Sequence, residues 1–455
     1  MRNAYFNPIR PLENESLVGV RDGFTLACVG DCIISRPLSQ LARHDPGFSA
    51  VVDLLTGADL ACGNLETTIV DMDGFSGAPY SWDGDWPLTS APPVAADLAA
   101  MGVRLVARAN NHVLDWGLEG MRETSARLKQ AAIAFAGVGE HQGPARAAAY
   151  AETAKGRVGM VSFATTYRPT TDALAPHGAC PGRPGLSALQ LRKITVVSPD
   201  AFRSLQDMHD QIHGRQGKDA AGKTVPLFGQ EFESGDTFQY RYEPDADDLR
   251  QILGNVRLGK QHADVLVVAV HAHEAMNDSF PQLPARFLRE LARDCIDGGA
   301  DIFMVTGIHH LGPIEIYRGR PICYGLSNFF WSDIQQPLPE ELYRKNQALV
   351  RSAFEQPDNI TDADLANLMN AQSFASSLPF EGVMVTSHFE GGRIVELRLH
   401  PLDLGYGMGL TKSGVPRLAR PELATKILND IRNASVAFGS EIQIEVVDGV
   451  GIVRL

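Results

Sequence analysis

Five separate apolar runs in this chain each stop at a side chain of the kind that ligates metals. Phe24–Cys28 is followed by Val29-Gly30-Asp31, and Asp59–Cys62 by Gly63-Asn64-Leu65-Glu66. The run from Gly102 to Ala107 leads into Asn110-Asn111-His112, Asp264–Val270 into His271-Ala272-His273-Glu274, and Asp301–Val305 into Gly307-Ile308-His309-His310. Short apolar runs of this length read as buried strands, and α/β folds build their sites at strand C-termini. Five such endings predict a set of strands whose ends converge on one shared metal centre.

The intervening segments support that reading. Between residues 24 and 163, helical patterns such as Pro92–Met101 and Leu118–Ala131 separate the strands, which implies crossover units and mostly parallel pairing. The alternation resumes with a helix near Asp247–His262 and another at Pro284–Gly298. Two hairpins follow, one joined by Gly319-Arg320 and one by Glu390-Gly391-Gly392. We therefore expect a single α/β domain over 20–455. It is interrupted by insertions near 165–245 and 332–380 and extended near 405–455 by a helix and two strands. The first insertion, rich in Pro, Gly, Asp and Thr, is too long to be structureless and could cover a site.

Composition narrows the partners. The chain has 455 residues, 44% hydrophobic and 21% charged, an ordinary globular balance. A net charge of −13 with no basic patch argues against nucleic acid. No run approaches the ~20 apolar residues of a membrane span, and the N-terminal residues lack the apolar core of a signal peptide. The six cysteines are scattered, without a Cys-x-x-Cys pair. Cys28, Cys62 and Cys323 fall in predicted strands as small hydrophobes. The expectation is a cytoplasmic protein that meets a small-molecule or peptide substrate, with no membrane partner; its oligomeric state is open.

Asp31 and Glu66 offer hard oxygen ligands, and either could bridge two cations about 3.5–4 Å apart. Each could equally begin a helix or turn, as Asp115 could cap the helix after it. Asn111 carries a side-chain oxygen able to coordinate, and His112 beside it could ligate or donate a proton. His271, His273, His309 and His310 are four of only 13 histidines, and two pairs at two strand ends suit neutral imidazole ligands. His271 and His273 share a side if the strand runs through them. Glu274 could ligate, orient an imidazole, or act as a base. Asn64 and Asn328 are candidate substrate contacts, as is Arg36, whose guanidinium suits an anion. The ions expected are one or two divalent cations: Mn, Zn, Fe or Ca.

In order along the chain, these motifs resemble the CapA family, poly-γ-glutamate capsule-synthesis-type proteins related to calcineurin-like metallophosphoesterases. The resemblance rests on Gly30-Asp31 with Arg36, Asn64-Leu65-Glu66, Ala109 to Gly117, His271 with Glu274, Gly307-Ile308-His309, and Tyr324-Gly325-Leu326-Ser327-Asn328-Phe329. It implies a four-layer α/β/β/α sandwich with Asp31, Glu66, Asn111, His271 and His309 as ligands and His112 as acid/base. His273 stands where a glycine is common, and Leu311 where a second histidine is. The chemistry implied is hydrolysis of an amide, γ-glutamyl or phosphoester bond through a metal-bound hydroxide. In that hydrolysis His112 or Glu274 would protonate the leaving group. Two alternatives stay open: epimerisation at a peptide α-carbon, as in lasso-peptide pathways, with His112, His271, His273, His309 and His310 able to supply the two bases, and an accessory role in capsule or polyglutamate synthesis.

Overall fold

The computed structural model describes residues 17–80, 86–214, 223–277, 283–332, 338–373 and 375–455. The parts of the two insertions at 215–222 and 333–337 lie outside the described residues. Two sheets stack face to face. The larger is ten-stranded. Its parallel half runs Phe24–Ile33, Leu60–Leu65, Val103–Ala107 and Ala134–Ala136 side by side. Glu381–Glu390 joins antiparallel on the other flank of Phe24–Ile33, and Arg393–Asp403 and Val450–Arg454 follow it. The second sheet has six strands, with Gly156–Ala164, Val265–His271, Ile302–Thr306 and Arg320–Cys323 parallel at its centre.

The strand sequences dictate this stacking. In Val265–His271 the odd residues Val265, Val267 and Ala269 pack into the core between the sheets. The even residues Leu266, Val268 and Val270 pack outward, against Ile252 and Val256 of the Ala246–Gln261 helix and Leu288 and Leu291 of the Arg286–Asp297 helix. Phe24–Ile33 divides likewise, Leu26 and Cys28 facing inward and Ala27 and Val29 outward against Phe48, Val51 and Leu55 of the Pro46–Gly57 helix. Strands covered on both faces must be apolar throughout, which is why they read as unbroken runs. Layers of helix, sheet, sheet and helix result: the α/β/β/α sandwich.

Residues of the first insertion make a separate four-stranded sheet, Thr224–Leu227, Gln230–Ser234, Leu191–Val197 and Gln239–Pro244, packed with the helix Pro199–His213. In the second, Leu338, Leu342, Val350 and Leu365 bury one another in a small satellite core. The terminal helix Pro421–Ala437 sends Ile427, Leu428 and Ile431 into the core between the sheets. Two boundaries moved. The first hairpin turns on Arg318-Gly319 (φ 53° and 70°), with Arg320 already in its strand; the second turns on Gly391-Gly392 (φ 56° and 70°). Both residues of each turn take the left-handed region, the geometry that matches strand twist in a two-residue hairpin. All six cysteines are free, and Cys28 and Cys62 lie 3.7 Å apart between strands. Among the described residues no helix is long and apolar enough to cross a membrane.

Candidate metal centre

The parallel strands of both sheets deliver their C-terminal ends to one place. Asp31 sits inside its strand, where the pairing register slips on both sides. Such a bulge re-aims a side chain. Gly30 permits it, because a Cβ there would stand 1.8 Å from the Ser327 carbonyl oxygen. Asp31 N–H donates to that same carbonyl at 3.0 Å, and Asp31 is flanked in register by Asn64 and Asn328. Side-chain Oδ1 of Asp31 accepts from Asn64 Nδ2 at 2.8 Å, while Oδ2 accepts from Gly307 N–H at 2.9 Å.

Around this pair the cluster closes. Asn64 Nδ2 also lies 3.2 Å from Glu66 Oε2 and 3.4 Å from His271 Nδ1. Glu66 Oε1 stands 3.6 Å from His271 Nε2 and 3.9 Å from His309 Nε2. His309 Nδ1 is 3.3 Å from Asp31 Oδ2 and 2.9 Å from Asn328 Oδ1. The Nε2 atoms of His271 and His273 face each other at 3.0 Å. Two ligands on one tetrahedral cation sit about 3.3 Å apart given 2.0–2.1 Å bonds. Ligand atoms of Glu66, His271 and His273 lie within 4.8 Å of one another, as do those of Asp31, Glu66 and His309. Glu66 belongs to both sets. Asn111, next in sequence to Asn110, which bonds Asn64, has a buried Oδ1 with no hydrogen-bond partner among the described residues. An orphaned buried carbonyl oxygen is costly, and a cation would satisfy it.

The backbone is shaped to this arrangement. His309 holds φ at 53° and Gly307 at 104°. A non-glycine in the left-handed region costs energy and is found where surroundings impose it. Electrostatics point the same way. Burial opposes the Asp31 carboxylate, but the hydrogen bond and charge of His309, with His271 and the Asn64 amide, outweigh it and hold Asp31 at about 2. Burial, reinforced by His273, keeps His271 well below the ordinary imidazole range. His273 is open to the cleft at its rim, yet the loss of solvent around its ring, with His309, lowers it to about 3. Imidazoles kept neutral are ready to bind metal.

His112 follows the strand Val103–Ala107 and is oriented by others. Its Nδ1 meets Asp115 Oδ2 at 2.8 Å, and Asp115 Oδ2 accepts Leu88 N–H at 2.6 Å. Asp115 Oδ1 lies 2.9 Å from Arg168 Nη2. Asp115 is thus no helix cap: the Gly117–Gln130 helix starts at Trp116 without a side-chain cap. Asn110 is the structural member of the asparagine pair, its Nδ2 bonding Asn64 Oδ1 (3.1 Å) and Leu65 O (2.9 Å), its Oδ1 accepting His112 N–H.

Other candidates stand apart. Glu274 accepts from the hydroxyls of Thr165 (2.6 Å) and Thr166 (2.9 Å), and burial raises its pKa. Thr166 Oγ1 also takes His273 N–H, so Glu274 braces the turn carrying the histidines. His310 has a buried Nδ1 without a partner among the described residues and makes none of the contacts above; burial holds it at about 4. Arg36 donates to Thr411 O at 2.7 Å, and Asn328 spends both amide ends, on His309 and on Pro379 O. Sequence reasoning missed Arg168, Thr165 and Thr166 and the use of Asp115; only the His-x-x-Asp spacing of the last was a usable signal.

Residues 25–332 match the family model described as bacterial capsule synthesis protein PGA_cap. Over 454 residues the chain is 40% identical to the uncharacterized protein y4sH of Sinorhizobium fredii (strain NBRC 101917 / NGR234), covering 98% of this chain and 96% of that one. To the PGA biosynthesis protein CapA of Bacillus subtilis (strain 168) it is 23% identical over 313 residues, 68% of this chain and 63% of that. A putative 5′-nucleotidase from Staphylococcus aureus aligns over 90% of this chain and 58% of its own at 10% identity, with a TM-score of 0.35, too slight a likeness to argue from. The family match spans Asp31 through His309, the whole cluster, and the chain belongs to the PGA_cap family of bacterial capsule synthesis proteins.

Proposed function

We propose that this chain is a metal-dependent hydrolase of amide, γ-glutamyl or phosphoester bonds. One observation carries the reading: a single carboxylate, Glu66, lies within reach of two separate ligand sets, one with His271 and His273 and one with Asp31 and His309. A carboxylate so placed suits a bridge between two cations. Asn111, whose Oδ1 has no hydrogen-bond partner among the described residues, is assigned as a further oxygen donor. When bound, divalent cations supply Lewis acidity to the substrate oxygen and lower the pKa of water.

The chain's own residues do the rest. Asp31 and Glu66 bring the negative charge that holds the cations, while Asn64 and Asn328 fix the ligands' orientation through the bonds described, and Thr306 through its hydroxyl 3.2 Å from His271 Nδ1. His112, its Nδ1 committed to Asp115, presents Nε2 as the proton donor to a leaving group. Arg168 on the other oxygen of Asp115 keeps that carboxylate in place. Glu274 braces the His271–Glu274 turn. The relative from Bacillus subtilis is named for PGA biosynthesis, and of the three bonds that name favours the γ-glutamyl one.

The test is purified protein supplied in turn with Mn, Zn, Fe or Ca and a panel of γ-glutamyl, peptide and phosphoester substrates, run in deuterated water. Cleavage that needs the cation and falls away in His112→Asn supports the hydrolase. Label entering an α-carbon without cleavage makes it an epimerase. Bound metal without either reaction leaves the accessory role in polymer synthesis.

A further inference from the structure

A cavity of about 370 Å³ opens beside the Asn110–Gly117 turn. That lies within the size range of small-molecule sites. Its apolar wall is Tyr80, Leu114, Leu118 and Pro169; its polar wall includes Arg168 and Arg183. The residues come from three places: Tyr80, the Asn110–Gly117 turn that carries His112 with the first turn of the helix after it, and the first insertion. Arg168 belongs both to this wall and to the ion pair with Asp115, so the cavity and His112 are two links apart. Thr170, also in the wall, holds φ at 66°, an uncommon conformation for a threonine that ties the insertion's first turn to this spot.

We propose that this cavity is a substrate subsite that takes an apolar group bearing a carboxylate, the group lying on the apolar wall and its carboxylate meeting Arg183. Arg168 is only 5% exposed at its side chain and serves Asp115, so it is a wall and not the ligand's partner. Arg183 is different. Its side chain is 37% exposed, and its bonds to Asp172 use Nε and Nη2, neither of them Nη1. A guanidinium at the edge of an apolar cleft suits a carboxylate better than any neutral group. The proposal rests on the hydrolase reading only in calling the ligand a substrate.

The experiment measures binding without turnover. Hexanoate and its neutral analogue hexanamide are titrated into wild-type protein, Arg183→Gln, Leu118→Trp and His309→Ala by ligand-observed NMR. Hexanoate should bind wild type and His309→Ala alike. It should weaken roughly tenfold in Arg183→Gln, the value of one charged hydrogen bond, while hexanamide changes little. Filling the cavity with Leu118→Trp should abolish binding of both while bound metal stays at the wild-type level. Equal hexanoate affinity in wild type and Arg183→Gln overturns the proposal. So does loss of binding in His309→Ala alone, which would put the carboxylate on the metal centre. Should Leu118→Trp fail to fold, the Arg183→Gln comparison decides. Because His309→Ala tests the centre and Arg183→Gln the cavity, either reading can fail without the other.

Discussion

Replacing Gly307 by alanine should damage the metal centre far more than the fold. A Cβ at this position would stand 2.7 Å from His273 Cδ2, 2.8 Å from His271 Cε1 and 2.9 Å from His271 Nε2. Ordinary contact begins at 3.4 Å, so both rings must retreat, His273 by roughly 0.7 Å and His271 by roughly 0.6 Å. Metal–ligand bonds tolerate only about ±0.2 Å, so a shift of that size costs a ligand. The backbone adds strain, since Gly307 holds φ at 104°. A left-handed alanine costs roughly 1–2 kcal/mol. In a chain of 455 residues that is a fall in Tm of only about 1–2 °C, because the unfolding entropy scales with length. Gly74→Ala is the control: its φ is 79° and nothing lies within 4 Å of the added methyl, so it carries strain without collision. The assay is bound metal by elemental analysis and affinity by competition with a chelator, beside thermal unfolding of the metal-free proteins. Gly307→Ala should bind metal at least tenfold more weakly than Gly74→Ala, while the two unfold within a few degrees of wild type. Equal metal affinity in the two variants would refute the placement of His271 and His273 as ligands.

Three further outcomes are expected. His271→Ala and His309→Ala should each sharply lower bound metal while leaving circular dichroism near wild type, because His271 ends its strand and His309 lies in the turn after Ile302–Thr306, neither within an apolar core cluster; full occupancy in both would mark them as structural. His112→Asn should keep its metal and lose activity by the ~10²–10⁴-fold typical of general acid–base catalysis, and loss of metal with activity would make it a ligand instead. His400, far along the larger sheet with Nε2 3.0 Å from Thr386 Oγ1, is held at about 4 by burial, with Arg398 adding to it. Its folded pKa lies below the ordinary 6.5, so the unfolded chain binds the extra proton first. The stability is intact above pH 6.5 and is lost as pH falls toward 4, by about 3 kcal/mol. Denaturant melts of His400→Gln should therefore show a flatter acid limb than wild type, and parallel limbs would contradict the assignment.

The sequence disclosed the parts of this molecule that obey a local rule. Runs such as Val265–His271 announce strands buried on both faces, and polar residues at their ends announce a site, because two pairs of histidines where two apolar runs stop suit metal ligands better than core positions. What stayed hidden depends on tertiary geometry. The bulge that aims Asp31 arises from the approach of Gly30 to Ser327, 297 positions away in sequence. Asp115 looked like a cap because caps and histidine partners use the same carboxylate, and only the fold brings Arg168 and Leu88 to it. Arg36 and Asn328 show a further limit, since the sequence cannot tell which polar groups are already engaged. Arg36 donates to the Thr411 carbonyl, and Asn328, within the site beside Asp31, holds His309 and the Pro379 carbonyl. The insertions were legible as interruptions. Their own sheet and satellite core were not, since strands such as Gln230–Ser234 are half-exposed and carry no apolar run.

The most direct test of the metal centre is anomalous scattering from crystals grown with Mn or Zn, collected on both sides of the metal's absorption edge. The account predicts peaks beside Glu66, one on the side of His271 and His273 and one on the side of Asp31 and His309, both diminished in Glu66→Gln. A wild-type map with no peak at Glu66, or with its metal bound elsewhere on the chain, would contradict it.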